Sequence, residues 1–440
     1  MSDQTGTSEE FGAPRVARDH VSRAQLLMQQ NRPADAETHL REALADDPDD
    51  ANSHALLAFC LMDQGKSDAA LAEAKLAQEA DPDWSFTHYT RAMIHARRDE
   101  GKLGEPHARR CIEMDPHDSD HWHVLALTLI DQKRWKDALA AADQGLAQDP
   151  DDDYCRNTRA MMLTQLGRRD EAAQTIRGTL ESDPDNAHTH ANMGWSLLHQ
   201  NKPKEALESF REALRLDPDN EWAKEGLVEA LKARYVIYRV LLAYFLWMGR
   251  LSDKAQWAVI IGLVVGYQVF KNIARNNEAL QPLLIPVAIL YFGFCALTWL
   301  ADPLFNLLLR FNKYGWHALS PDQRRGANLL GIVILVALAI ITIAFVTRDA
   351  MWVLSGVILF GAMVPLTGIF RVKEGWPRWV IVTLCSVLAI TAVVLVAILT
   401  FGEFETVLET IVFFALPYAV AVFVSWLFVG WLTMKHPAQR

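Results

Sequence analysis

The dipeptide Asp-Pro recurs at Asp47-Pro48, Asp81-Pro82, Asp115-Pro116, Asp149-Pro150, Asp183-Pro184 and Asp217-Pro218, each step 34 residues after the last. Proline lacks a backbone N–H and disfavours a helical residue before it, so each step ends a helix. Two ladders of small residues keep the same spacing: Ala24, Ala58, Ala92, Ala126, Ala160 and Gly194; and Ala36, Ala70, Gly104, Ala138, Ala172 and Ala206. A looser ladder runs Leu27, Leu61, His95, Leu129, Leu163 and Leu197. A fixed period of this length means stacked supersecondary units. Within one period, Ala191, Gly194, Trp195, Leu197 and Leu198 form one helical face, and Ala206, Leu207, Phe210, Ala213 and Leu214 form a second. Gln200-Asn201-Lys202-Pro203 breaks the chain between them. The unit is an antiparallel helix pair whose small residues allow close approach. It buries its apolar stripe only by stacking on the next pair.

This pattern resembles the tetratricopeptide repeat over about residues 17–231. The resemblance rests on the small-residue and Leu ladders, the aromatic helix starts at Trp122 and Trp222, and the terminal prolines. It implies an all-α solenoid of six helix pairs plus a capping helix at Glu221–Leu231. Repeat one, with Arg23 at an apolar position, and repeat three, with His95 and the Pro-interrupted stretch Arg97–Pro106, are expected to be less regular. The resemblance also implies that the first helix of each pair lines the concave face. The positions exposed there are Phe59, Met62, Phe86, Tyr89, Met93, His123, Leu127, Tyr154, Asn157, Met161, Trp195, Leu198 and Trp222. Aromatic residues and Met are enriched in interface cores. The Lys and Asn pattern of the dicarboxylate-clamp members, which hold chaperone tails, is missing.

Charge divides the chain. Residues 1–231 carry 44 acidic and 26 basic residues, and the rest carries 9 and 17. An acidic repeat half argues against nucleic acid, whose phosphates need clustered Lys and Arg, and suits basic or apolar peptides. Residues 1–16 read as a disordered tail, polar and without the apolar core of a signal peptide. Cys60, Cys111, Cys155, Cys295 and Cys385 are odd in number and lack a CxxC, which fits a reducing compartment.

Beyond residue 231 the composition turns apolar. Residues 232–254 mix Lys and Arg with Tyr, Trp, Leu and Phe. They read as a basic amphipathic juxtamembrane segment, with a seventh span over 233–249 as the alternative. Residues 255–434 read as a six-span transmembrane bundle at about 256–274, 282–300, 328–347, 350–370, 379–401 and 409–433, each near the ~20 residues needed to cross the bilayer core. With six spans, 14 Lys and Arg fall on the repeat side and 3 (Lys271, Arg275, Arg348) on the other. The positive-inside rule then places the solenoid, both termini and the tail 435–440 in the cytoplasm of a multi-pass protein, as in a bacterial inner membrane. Asp302–Tyr314 reads as an interfacial helix, and Ser320-Pro321-Asp322-Gln323 as a helix start.

No catalytic motif appears, no cofactor is implied, and the spans carry no ionisable residue centrally, as a transporter usually would. His117, His121 and His123, among Asp115, Asp118 and Asp120, are the densest group of metal-ligand types. They lie in an inter-repeat turn, and the two-residue step from His121 to His123 splits them across a helix. His20, His54, His88 and His190 share one repeat position rather than forming a cluster. Asp302, Asn306, His317 and Glu374 are the polar residues an enzyme acting on lipid could use, without specific spacing. The function these features imply is a non-enzymatic membrane scaffold binding a protein or peptide partner in the groove, with lipid around its second half. The alternative is a transporter or channel carrying a docking domain.

Overall fold

The computed structural model describes residues 15–251, 253–309, 319–347, 365–372, 375–401 and 416–435. The expected span 350–370 for most of its length, the loop 402–408 and the start of the span 409–433 lie outside these residues, as do His317 and Glu374. All regular structure described is helical apart from an isolated bridge residue at Val372. The chain forms two compact units, 1–196 and 197–440.

The first unit is the solenoid. Its pairs are α1 (Arg15–Gln29) with α2 (Pro33–Asp46), α3 (Ala51–Asp63) with α4 (Ser67–Ala80), α5 (Ser85–Arg97) with α6 (Gly101–Met114), α7 (Ser119–Asp131) with α8 (Trp135–Gln148), and α9 (Asp153–Leu166) with α10 (Arg169–Ser182). Helix α11 (Ala187–His199) opens the next pair. The ladder alanines are buried between helices, and at Gly104 an added methyl would crowd the Ala92 carbonyl oxygen and His95 Cβ at 3.1 Å. First helices pack on first helices (α1 on α3, α3 on α5, α5 on α7, α7 on α9), and the second helices lack comparable mutual packing. That asymmetry curves the stack toward the first-helix layer.

The Asp-Pro steps have a uniform geometry. In all six, the Asp carboxylate accepts the N–H two residues on, at 2.9–3.3 Å. This is the local bond that makes Asp a turn former. The following Asp50, Asp118, Asp152, Asn186 and Asn220 then cap the next helix by accepting its early N–H groups. A ring N–H two turns further in bonds back to the proline carbonyl: His54 to Pro48, His88 to Pro82, Trp122 to Pro116 and His190 to Pro184. The turns inside the pairs also repeat, with left-handed backbone at Asn31, Gly65, Asp99, Lys133, Gly167 and Asn201.

Three expectations are corrected here. Helix α1 already begins at Arg15, inside the tail assigned to 1–16. Arg23 does not disturb α1, because its side chain lies exposed. Repeat three is as regular as its neighbours. Helix α6 runs through Pro106 at full length, and His95 fills the Leu position by bringing its own partner, Glu100, at 2.9 Å.

The second unit contains α12 (Pro203–Leu216), α13 (Glu221–Lys232), α14 (Val236–Gly249), α15 (Asp253–Arg275), α16 (Leu284–Leu309) and the helices Pro321–Thr347, Trp376–Phe401 and Leu416–Lys435. At about 21 Å, α14 is too short to cross a bilayer core. It buries Tyr238, Leu241 and Leu242 and exposes Val236, Ile237, Val240 and Trp247. Two described helices are long and apolar enough to span, Ala255–Arg275 and Pro321–Thr347. The bent pair 281–295 and 300–309 adds a third if counted as one span. Among the described residues there are therefore two or three candidate spans, against the six expected over the whole of 255–434. The bend of 73° turns the expected span 282–300 into the arm Leu300–Leu309. Pro303 accounts for it, because its ring displaces the carbonyl one turn earlier. The helix start at Ser320 is a reciprocal capping box: Ser320 N–H donates to Gln323 Oε1 at 2.9 Å, and Gln323 N–H donates to Ser320 Oγ at 3.3 Å.

Candidate functional site

The inner layer of first helices presents three rows of side chains at i, i+3 and i+7. Phe86, Asp120 and Tyr154 form the first, Tyr89, His123 and Asn157 the second, and Phe59, Met93, Leu127, Met161 and Trp195 the third. Helical spacing puts all three on one face. Rings meet along this face: Phe86 stacks on Tyr89 with centroids 5.9 Å apart, and Phe59 lies 6.3 Å from Phe86 and 6.2 Å from Tyr89. Trp84 closes on Phe86 at 5.1 Å, Tyr89 on His121 at 6.0 Å, and His123 on Tyr154 at 5.4 Å. Phe59, Tyr89, Leu127 and Met161 are half-buried against the core, and Met62 packs against the neighbouring cluster. Phe86 and Trp195 are also half-buried, and Tyr154 stands 63% exposed.

Two expected groove residues belong elsewhere. Met93 and Leu198 are buried, at 8% and 5% exposure. The unbranched Met93 chain folds into the core shared with Val124, Leu125 and Ala126 instead of standing in the groove. Asn157 lies on the inner face with its amide already engaged: its Oδ1 accepts from Thr189 Oγ1 at 2.9 Å and from Asn192 Nδ2 at 3.1 Å. Trp222, on α13 of the second unit, is exposed.

Asp120 was missed as a groove residue, although it shares a row and a 34-residue register with Phe86 and Tyr154. Burial pushes its carboxyl above the usual range, and the nearby carboxylates of Asp118 and Asp152 push it further. The Tyr89 phenol is pushed up by burial and then by Asp120. Burial holds His123 down at about 4, so its ring is neutral near pH 7. The inner face is thus aromatic, with carboxylates crowded at one point.

The three turn histidines do not converge. His117 Nδ1 meets Gln148 Oε1 at 3.0 Å, His121 Nδ1 meets the Asp115 carbonyl oxygen at 2.9 Å, and His123 Nδ1 meets Thr158 Oγ1 at 3.2 Å. The solenoid cysteines are buried, and burial pushes the thiols of Cys60 and Cys111 up to about 12, so they stay protonated.

Asp302, weighed above as a polar residue for lipid chemistry, is instead the centre of a charge network within the second unit. Lys232 Nζ donates to Glu229 Oε1 at 3.0 Å and to Asp302 Oδ1 at 3.4 Å. Tyr238 donates its hydroxyl to Glu229 Oε2 at 2.5 Å, and Arg371 reaches Asp302 Oδ2 at 2.8 Å. Lys232 is 2% exposed. Burial alone would lower its pKa, but Glu229 and Asp302 together raise it, so it stays charged. A second pair, Arg378 to Asp322 at 2.5 Å, joins the starts of the helices Pro321–Thr347 and Trp376–Phe401.

Family models described as tetratricopeptide repeat match residues 27–93 and 129–195, 89–153, and 187–220. The remainder of the second unit is assigned to no family. No curated protein sequence matches the chain. Among solved structures, a tetratricopeptide repeat protein from Parabacteroides merdae is 15% identical with a TM-score of 0.44, over 51% of this chain and 87% of that one. Pseudomonas aeruginosa pilF is 16% identical with a TM-score of 0.39, over 48% and 96%. YrrB, described as a TPR protein with an unusual peptide-binding site, is 22% identical with a TM-score of 0.31, over 42% and 96%.

Proposed function

We propose, from the premise that residues 27–220 are tetratricopeptide repeats, that this chain is a membrane-anchored scaffold whose inner face holds a peptide or protein segment. The observation that carries the reading is the ring-lined face from Phe59 to Tyr154 with Asp120 among its rings. Aromatic anchors on a rigid wall supply apolar contact at low entropic cost. The crowded carboxylates favour a partner that brings Lys or Arg, because a cation relieves their mutual repulsion and lies well over aromatic faces. The groove set is Phe59, Met62, Phe86, Tyr89, Leu127, Tyr154, Asn157, Met161 and Trp195, joined by Asp120.

The second unit is the anchor. Its exposed apolar helices suit lipid. Lys232, Asp302, Asp322, Arg371 and Arg378 meet in ion pairs at helix ends, which supports the orientation with those ends, and the repeats, on the cytoplasmic side of a bacterial inner membrane. Six spans in all and an interfacial α14 complete this reading. The chemistry asked of the chain is capture, not turnover.

The test is affinity purification of the full chain from native membranes. The combined change Tyr89→Ala, Met161→Ala and Trp195→Ala removes the co-purifying partner while circular dichroism stays unchanged, and Asp120→Asn weakens capture and its dependence on salt. A partner retained at full yield by the triple variant defeats the proposal. One feature favours the transporter reading: the broken helix 281–295 and 300–309, with Asn306 buried in its second arm, since discontinuous helices build transport sites. Solute uptake by liposomes carrying the full chain decides that alternative.

A further inference from the structure

The repeat position shared by His20, His54 and His88 faces the residue 19 later on the second helix of its own pair. At His54 this gives an ordinary structural pair. Nδ1 meets Glu73 Oε2 at 2.7 Å, and Nε2 is spent on the Pro48 carbonyl. At His88 it gives two rings, with Nδ1 of His107 3.4 Å from Nδ1 of His88 and no carboxylate joining them. At His20 three donors converge. His20 Nδ1 lies 3.3 Å from His39 Nδ1 and 2.9 Å from Glu42 Oε2, and His39 Nδ1 lies 3.1 Å from the same oxygen.

We propose that His20, His39 and Glu42 form a binding site for a divalent transition-metal ion such as Zn²⁺. Hydrogen bonding alone does not satisfy all three contacts: with both Nδ1 protonated the two N–H groups crowd each other, and with one protonated the other nitrogen's lone pair faces the carboxylate oxygen. A cation at the centre removes that conflict, because both imidazoles then bind as neutral bases with Nδ1 deprotonated. The distances fit. Ligand bonds of about 2.0–2.2 Å in a tetrahedron place donor atoms roughly 3.3–3.6 Å apart. The two nitrogens already stand at that separation, and the Glu42 oxygen needs to withdraw by only a few tenths of an ångström. Glu42 is half exposed, so its side chain has room to do so.

The donor set selects the metal. Two imidazoles and one carboxylate suit Zn²⁺, Co²⁺, Ni²⁺ or Cu²⁺, whereas Ca²⁺ and Mg²⁺ take oxygen ligands almost entirely. His39 and Glu42 are three apart on α2 and share its face, while His20 comes from α1, so a bound ion staples the first helix pair. The site is partly open, with His20 and His39 21% and 28% exposed, leaving water the fourth position.

The test is titration of the full chain in detergent with Co²⁺, read by its visible ligand-field absorption. One saturable equivalent is expected. His39→Ala and His39→Gln each weaken it by more than the roughly 10–100-fold that loss of an outer-shell partner costs, and Glu42→Gln weakens it less. His54→Ala leaves it unchanged. Amide exchange in α1 and α2 slows on binding, a readout that a merely adjacent pair of histidines does not give. No saturable equivalent, or an equivalent that survives both His39 variants with helicity intact, overturns the proposal.

Discussion

The solenoid and the charge network of the second unit solve one problem in opposite ways. Both must place polar groups where water is scarce. The solenoid does so locally and repeatedly: the Asx turn recurs at all six steps, the side-chain helix cap at five and the ring-to-carbonyl bond at four, each joining residues a few positions apart. No one of them matters greatly, because the neighbouring repeat supplies another. The second unit concentrates its polar groups instead. Glu229, Lys232, Tyr238, Asp302 and Arg371 come from α13, α14, α16 and the segment before Val372, and meet at one point. The lesson is that redundancy makes the first unit tolerant and the second brittle. Lys232→Met tests this with the largest expected effect. It leaves Glu229 without its counter-ion and Asp302 with Arg371 alone, a loss of about 3 kcal/mol, the low end for a broken buried pair, read as a fall in the thermal midpoint of the full chain in detergent. Adding Glu229→Gln restores part of it. A midpoint unmoved by Lys232→Met would mean that the network contributes nothing to the unit it joins.

The corresponding change in the solenoid is smaller. Trp122→Phe keeps the ring against the core and removes only the N–H that reaches the Pro116 carbonyl at 3.0 Å. The expected loss is about 1 kcal/mol, the net worth of one hydrogen bond. A loss as large as that of Lys232→Met would show that the repeats are not redundant. The two regions also differ in how far they can be read without coordinates. The Asp-Pro register gave the helix pairs and their ends, because every step obeys one local bonding rule. The left-handed turn position escaped notice: Asn31, Gly65, Asp99, Lys133, Gly167 and Asn201 share a conformation and a period but not a residue type. The groove rows were legible from periodicity, yet Met93 and Leu127 occupy equivalent positions and only Met93 sinks into the core. Asp120 was read as one more turn acid. In the second unit neither local rule nor period exists. Lys232 and Asp302 are 70 residues apart in a stretch without repeats, so their meeting could not be inferred.

The smallest effect sharpens the comparison from inside the solenoid. Asp131, at the end of α7, is a half-buried acid there with no counter-ion close enough to dominate it. Burial pushes its carboxyl up to about 7, Asp99 adds to the rise, and the Gly101 N–H offsets a little. Its Oδ2 is buried without a hydrogen-bond partner. An acid whose folded-state pKa is raised keeps its proton in the native protein while the unfolded chain has already lost one. Its contribution is therefore intact below about pH 4, is lost as pH rises toward 7, and stays lost above. Asp131→Asn removes the ionisation. The variant should match the parent near pH 4 and exceed it at pH 8, by roughly 0.5 kcal/mol once solvent screening of a partly exposed group is allowed for. Unfolding followed at the two pH values measures the difference of differences. A gain that is equal at both would assign the effect to packing against Gly101 rather than to charge. A gain confined to high pH would show that the repeats do tolerate an unpaired acid, at a small and local cost that Lys232 and its partners could not absorb.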